Sequence, residues 1–152
     1  MRYITVLIIM LAFTTFNFAQ NTHSESKPAS STKVIANKLY AASIDSVIQF
    51  LLNSAANDFR THGPSGPLRF RDVRIGYSMT HGGEKRYQLC GQFFQVKKEG
   101  KAQWIPFVTI KTSGYEQWIG DNTKAFCKDS TVKWEKVGDL STSLQNRLNS
   151  MK

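Results

Sequence analysis

Between Ile44 and Phe59 the apolar residues Ile44, Val47, Ile48, Leu51, Leu52, Ala55, Ala56 and Phe59 recur at three- and four-residue steps. A chain with that period presents one continuous stripe of an α-helix. The opposite face carries Asp45, Gln49, Asn53, Asn57 and Arg60, without the Lys and Arg excess of a helix lying in a membrane interface. The stripe therefore reads as a core face, and the rest of the chain must supply the layer that covers it. Gly63 and Pro64 stop the helix. Ser43 is a candidate cap at its start, with Asp45 in the first turn. Val34, Ile35, Leu39 and Tyr40 allow a backward extension to about 28 residues, unless Ala41-Ala42-Ser43 breaks it.

Beyond the turn His62-Gly63-Pro64-Ser65-Gly66-Pro67 the period changes to alternation. Leu68 and Phe70 alternate with Arg69 and Arg71, then Val73, Ile75 and Tyr77 with Arg74 and Gly76, and the phase slips at Arg71-Asp72 as at a β-bulge. Tyr77 to Arg86, with Gly82 and Gly83, reads as a loop. A second strand is expected from Arg86 to Lys97 and a third from Ala102 to Thr112, joined by the hairpin Lys98-Glu99-Gly100-Lys101. Pro106 implies that the third strand lies at an edge or is kinked. Tyr115 to Cys127 reads as irregular or as holding a short strand, and Leu144, Leu148 and Met151 predict a short C-terminal helix after Ser141. The expected fold class is α+β: an N-terminal amphipathic helix packed on a three- to four-stranded antiparallel sheet, a short C-terminal helix and one disulfide.

Residues 1–19 have the layout of a secretory signal peptide, with Arg2, an apolar run from Tyr3 to Phe13 broken only by Thr5, and Ala19 before the expected cut. The run is short of the ~20 residues of a bilayer span. No span is expected in the mature chain, which reads as secreted or periplasmic, with a polar, flexible tail at 20–32 and a single α+β domain at 33–152. In an oxidising compartment Cys90 and Cys127 most simply form one disulfide, closing about 37 residues and worth roughly 3–4 kcal/mol. A catalytic thiol and a metal site are the alternatives, although His23, His62 and His81 show no zinc-like spacing with the cysteines.

The stretch Phe70-Arg71-Asp72-Val73-Arg74, followed by Leu89-Cys90-Gly91-Gln92 and then Pro106-Phe107-Val108, resembles a pattern in small uncharacterised exported proteins of Gram-negative bacteria. In those, a helix precedes a Phe-Arg-x-Val-Arg strand, a Cys-Gly strand and a Pro-Phe strand. The resemblance covers roughly residues 45–127 and implies export and this fold; it implies no activity. The chain departs from the pattern at Phe93-Phe94-Gln95, where a more polar run stands, and in its longer loop at Ser78 to Lys85.

Twenty Lys and Arg oppose eleven Asp and Glu, a formal charge of +9. Loss of residues 1–19 removes only Arg2, and Lys27, Lys33 and Lys38 balance Glu25, Asp45 and Asp58. All the remaining excess lies from Arg60 onward. Arg69, Arg71, Arg74, Lys85, Arg86, Lys97 and Lys98 are the candidate anion-binding residues, because strand residues two apart share a face and the bulge brings Arg74 towards it. Lys101 lies on the same hairpin. The alternative is a solubilising surface that keeps a sheet edge from pairing. Phe93, Phe94, Trp104 and Tyr115 are candidates for stacking. The expected partner is an acidic protein or an anionic envelope component, and export makes nucleic acid a poor first choice. No phosphate loop, dinucleotide fingerprint or calcium loop is present, so no nucleotide, cofactor or metal is expected. No catalytic residue is expected; the alternative is a small secreted hydrolase or nuclease using the loop histidines His62 and His81 with Asp72 or Glu84.

Overall fold

The computed structural model describes the backbone of residues 29–96 and 100–151, and side chains from residue 33 onward within them. The expected leader, residues 20–28 of the expected tail, Lys97 and Lys98 lie outside the described residues.

Helix α1 (Ala29–His62) leads into strands β1 (Phe70–Met79), β2 (Lys85–Val96), β3 (Ala102–Lys111) and β4 (Tyr115–Ile119). A 3-10 turn (Gly120–Thr123), the single turn α2 (Lys124–Cys127), the short strand β5 (Lys133–Trp134) and helix α3 (Ser141–Ser150) follow. The strands form one sheet in the order β4-β3-β2-β1-β5, antiparallel throughout. The α+β class, the helix on the sheet and the short C-terminal helix are as the period predicts. The sheet has five strands rather than three or four, because Tyr115–Ile119 pairs with β3 and two residues at Lys133–Trp134 pair with β1.

The stripe on α1 is the core. Leu51, Leu52, Ala55, Ala56 and Phe59 are buried against Val73, Ile75, Leu89, Phe93 and Phe107 of the sheet, and Leu144 of α3 closes the cluster. Phe59 is its hub, with its ring edge-on to Phe70, Phe93 and Phe107 at centroid distances of 5.0, 5.0 and 5.1 Å. Side chains of this size each contribute about 1.5–3 kcal/mol when removed from water.

The phase slip expected at Arg71-Asp72 is a bulge. Arg71 pairs with Gln92 and Arg74 with Cys90, so Asp72 and Val73 together face Gly91. Asp72 adopts a positive φ of 54°, a region that the short polar side chain of Asp tolerates. A Cβ on Gly91 would come within 2.8 Å of both Val73 and Phe107. The bulge and the helix-facing core thus share one glycine.

Some local expectations are corrected. Ser43 is not a cap: α1 runs on without a break to Ala29, inside the expected tail, and the Ser43 hydroxyl donates to the Tyr40 carbonyl at 2.9 Å. Residues 33–43 are all exposed on that extension. β1 continues to Met79 and β2 starts at Lys85, so the loop shrinks to residues 80–84, closed by Thr80 N–H donating to the Glu84 carbonyl at 2.8 Å. The edge expected at Pro106 holds for the first half of β3, whose residues 102–106 pair with β2 alone, while its second half is covered by β4. Pro106 is tolerated because it faces Gln92 of β2, while the pairing with β4 stops one residue away at Phe107↔Ile119. That leaves Pro106 with a single neighbouring strand.

Candidate functional site

The face of the sheet turned away from α1 is built by the alternate residues. The cross-strand pairs place Arg71 opposite Gln92, Arg74 opposite Cys90, and Phe94 opposite Trp104. Because the bulge absorbs one residue, Arg71 and Arg74 emerge on this same face although they are three apart. β5 brings Trp134 beside Gly76, where a Cβ would come within 2.9 Å of the indole.

Each strand arginine lies over an aromatic ring. The guanidinium of Arg69 is 4.2 Å from the centroid of Phe94, that of Arg71 is 4.2 Å from Trp104, and that of Arg74 is 4.6 Å from Trp134. Phe94 and Trp104 meet edge-on at 5.3 Å, so Arg69, Phe94, Trp104 and Arg71 form one continuous ladder. Such contacts contribute about 0.5–1 kcal/mol each at exposed positions. Arg71 is held further: its Nε and Nη2 donate to Gln92 Oε1 at 3.2 and 2.8 Å, and Nε lies 3.6 Å from Asp72. Arg74 differs. Its ring contact with Trp134 leaves its guanidinium without a hydrogen-bond partner among the described residues.

The disulfide Cys90–Cys127 ties the central strand to the end of α2, with the Cα atoms 5.9 Å apart. No free cysteine remains, which removes the alternatives of a catalytic thiol and a cysteine metal site. The crosslink carries Lys124 and Lys128 onto the open face, where they join Arg74, Trp104, Trp134, Asp72 and Gln92 around a groove of about 380 Å³ floored by the disulfide. Lys124 pairs with Asp121 at 2.8 Å, and this bond holds the Asp121 carboxyl below the usual carboxylate range. Phe126 and Cys127 pack with Val108, Ile110 and Trp134, so the tethered segment is a fixed wall.

The other residues expected to bind anions do not all join this face. Lys85 lies towards α1, at the far end of β2. Its Nζ stands 5.1, 4.1 and 5.8 Å from the ring centroids of Tyr40, Tyr77 and Tyr87 and 4.0 Å from Glu135. Tyr40 also donates to Glu135 at 2.9 Å, a bond that raises the Tyr40 hydroxyl above its ordinary pKa. Lys85 is a latch between the helix and the sheet, its ammonium held among three rings and a carboxylate. Arg86 shares the outer face but lies beyond the tethered segment, beside a separate cavity of about 110 Å³ with Ser78 and Gln88. Phe93 is buried against Phe59 and offers no stacking surface, and Tyr115 stands on β4 away from the ladder.

The histidines do not meet. His62 ends α1 and its Nδ1 is 3.4 Å from Asp58, whose other oxygen accepts from Gln117, which in turn accepts from the buried Thr109. His81 lies in the turn after Met79, at the opposite end of β1. Among the described residues no hydrogen bond or ion pair joins the two, and the partner His62 has is Asp58 on its own helix. Among the described residues no cluster of His, Cys, Asp and Glu is arranged to hold a metal ion, and no helix is long and apolar enough to cross a membrane.

Sequence reasoning missed Trp134, Lys124, Lys128, Gln92 and Asp72. The signal for the lysines was present, since they flank Cys127 at 124 and 128 and Cys127 is carried to the middle strand. Trp134 had none, because its strand is two residues long. Comparison with family models, with curated proteins and with solved structures finds no match for this chain.

Proposed function

We propose that the chain is an exported, non-catalytic interaction module that binds an acidic partner or anionic envelope surface through the open face of its sheet. The observation that carries this reading is the convergence of Arg69, Arg71 and Arg74 on one face, each over an aromatic ring, with the unbonded Arg74 fork beside Lys124 and Lys128 at a concave groove. A solubilising surface needs charge only. It has no need of guanidinium planes parked on indoles, or of a disulfide that brings two more cations to the same place. Arg presents a planar, permanently charged set of donors that matches carboxylate and phosphate. The +9 charge adds a long-range attraction for anions. Export rests on the leader-like residues 1–19 and agrees with the disulfide.

The test is binding of the purified protein to envelope fractions and to anionic vesicles at rising ionic strength. Affinity should fall steeply with salt and fall again in Arg74→Gln, whereas Lys85→Gln should bind as the native protein does. Binding indifferent to salt, or equally weakened by Lys85→Gln, contradicts the reading.

A further inference from the structure

We infer that the groove between Trp104 and Trp134 takes a carboxylate-bearing sugar unit of an acidic polysaccharide. The inference rests on the anion-binding reading above and names the ligand for its site.

Three features select this chemistry. The groove is concave and holds about 380 Å³, the scale of a small-ligand site. A bilayer surface is flat and is met by projecting side chains, whereas a recessed site admits a single unit of a chain. Trp104, Pro106 and Trp134 line the groove, and the ring surface that Arg71 and Arg74 leave uncovered gives it an apolar wall suited to the C–H face of a pyranose ring. Finally, Arg74 offers an unbonded guanidinium fork at the groove, fitted to a carboxylate by two parallel hydrogen bonds.

Asp72 weighs against highly charged anions. It lines the same groove, where its carboxylate repels a phosphate dianion more than a singly charged carboxylate. It accepts hydrogen bonds from sugar hydroxyls, and the Gln92 amide, whose oxygen already holds Arg71, has its N–H groups left to donate. Lys124 and Lys128 are four residues apart, with the Lys128 N–H donating to the Lys124 carbonyl at 3.1 Å, so they project on one side of the tethered turn. Both line the groove and add positive charge for an adjoining sugar unit. A monoanionic ring with hydroxyls, repeated along a chain, uses every one of these groups.

The experiment is a titration of the protein's tryptophan fluorescence with α-1,4-linked trigalacturonate, with neutral maltotriose, and with vesicles of phosphatidylcholine and phosphatidylglycerol. Trigalacturonate should bind saturably and maltotriose should not. Arg74→Lys, which keeps the charge and removes the fork, should weaken trigalacturonate at least about tenfold. Trp104→Leu should do the same, while Arg86→Gln should leave the affinity unchanged. Arg74 is exposed and is bonded to no described residue, so its replacement tests the site without unfolding the chain. Absent trigalacturonate binding, equal binding of maltotriose, or an Arg74→Lys protein of native affinity overturns the inference. Salt-dependent vesicle binding without trigalacturonate binding removes the sugar and leaves the anion-binding reading standing. Binding of neither removes both.

Discussion

Gly91 shows how closely the site and the core are coupled at the level of one residue. It stands opposite the Asp72-Val73 bulge on one strand and against Phe107 on the other, with no room for a methyl group. Gly91→Ala should destabilise the protein by about 1–3 kcal/mol, as overpacking does, and urea denaturation measures it. A change below about 0.5 kcal/mol would mean that the bulge is not held there. Asp139 secures the other side of the bulge: it accepts from the backbone and hydroxyl of Ser141, Ser141 Oγ accepts from Val73 N–H at 3.2 Å, and Leu140 N–H donates to the Val73 carbonyl at 2.8 Å. The Ser141 hydroxyl holds the Asp139 carboxyl below the usual carboxylate range. A depressed folded pKa adds stability that is present above the unfolded value near 3.9 and is lost as pH falls through the folded one. The stability advantage of the native protein over Asp139→Asn should therefore be full at neutral pH and shrink below about pH 4, followed by denaturant midpoints across that range.

At the level of elements, the disulfide decides where a segment with little regular structure of its own goes. Residues 120–134 contribute one 3-10 turn, one α-helical turn and two strand residues, too little to position themselves. The crosslink closes a 37-residue separation, which constrains the unfolded chain by about 3–4 kcal/mol. Cys127→Ser should cost that much in chemical denaturation and should weaken anion binding, since Lys124, Lys128 and the packing of Phe126 on Trp118 lose their anchor. A variant as stable and as tight-binding as the native protein would remove the tethered wall from the account.

This scale also explains what the sequence made legible. The helix stripe, the bulge and the alternation of β2 and β3 were readable because each is a local pattern, and the cysteine pair because two cysteines allow a single intramolecular pairing. The fates of Lys85 and Trp134 were not. The first depends on Tyr40, which comes from α1 to join two strand tyrosines and Glu135. The second depends on a two-residue pairing with β1 that no period can reveal. The extent of α1 escaped for a related reason: residues 33–43 bury no stripe, so the apolar pattern understated its length.

Across the whole molecule the two faces of the sheet do different work. One is covered by α1 and α3 and carries the core, including the polar connection from Thr109 through Gln117 to Asp58. The other is half covered by the tethered segment, and the uncovered half carries the arginine ladder and the groove. The charge excess from Arg60 onward is thereby divided, with Lys85 engaged by Tyr40 and Glu135 at the contact between α1 and the sheet, and Arg71, Arg74, Lys124 and Lys128 presented on the other face. Backbone and indole N–H chemical shifts, followed while an anionic ligand is titrated at low salt, test that division most directly. The account predicts changes gathered at Arg71, Arg74, Gln92, Lys128 and the indoles of Trp104 and Trp134, reversed by added salt. Changes centred instead on Lys85, Arg86, His81 or the exposed half of α1 would contradict it.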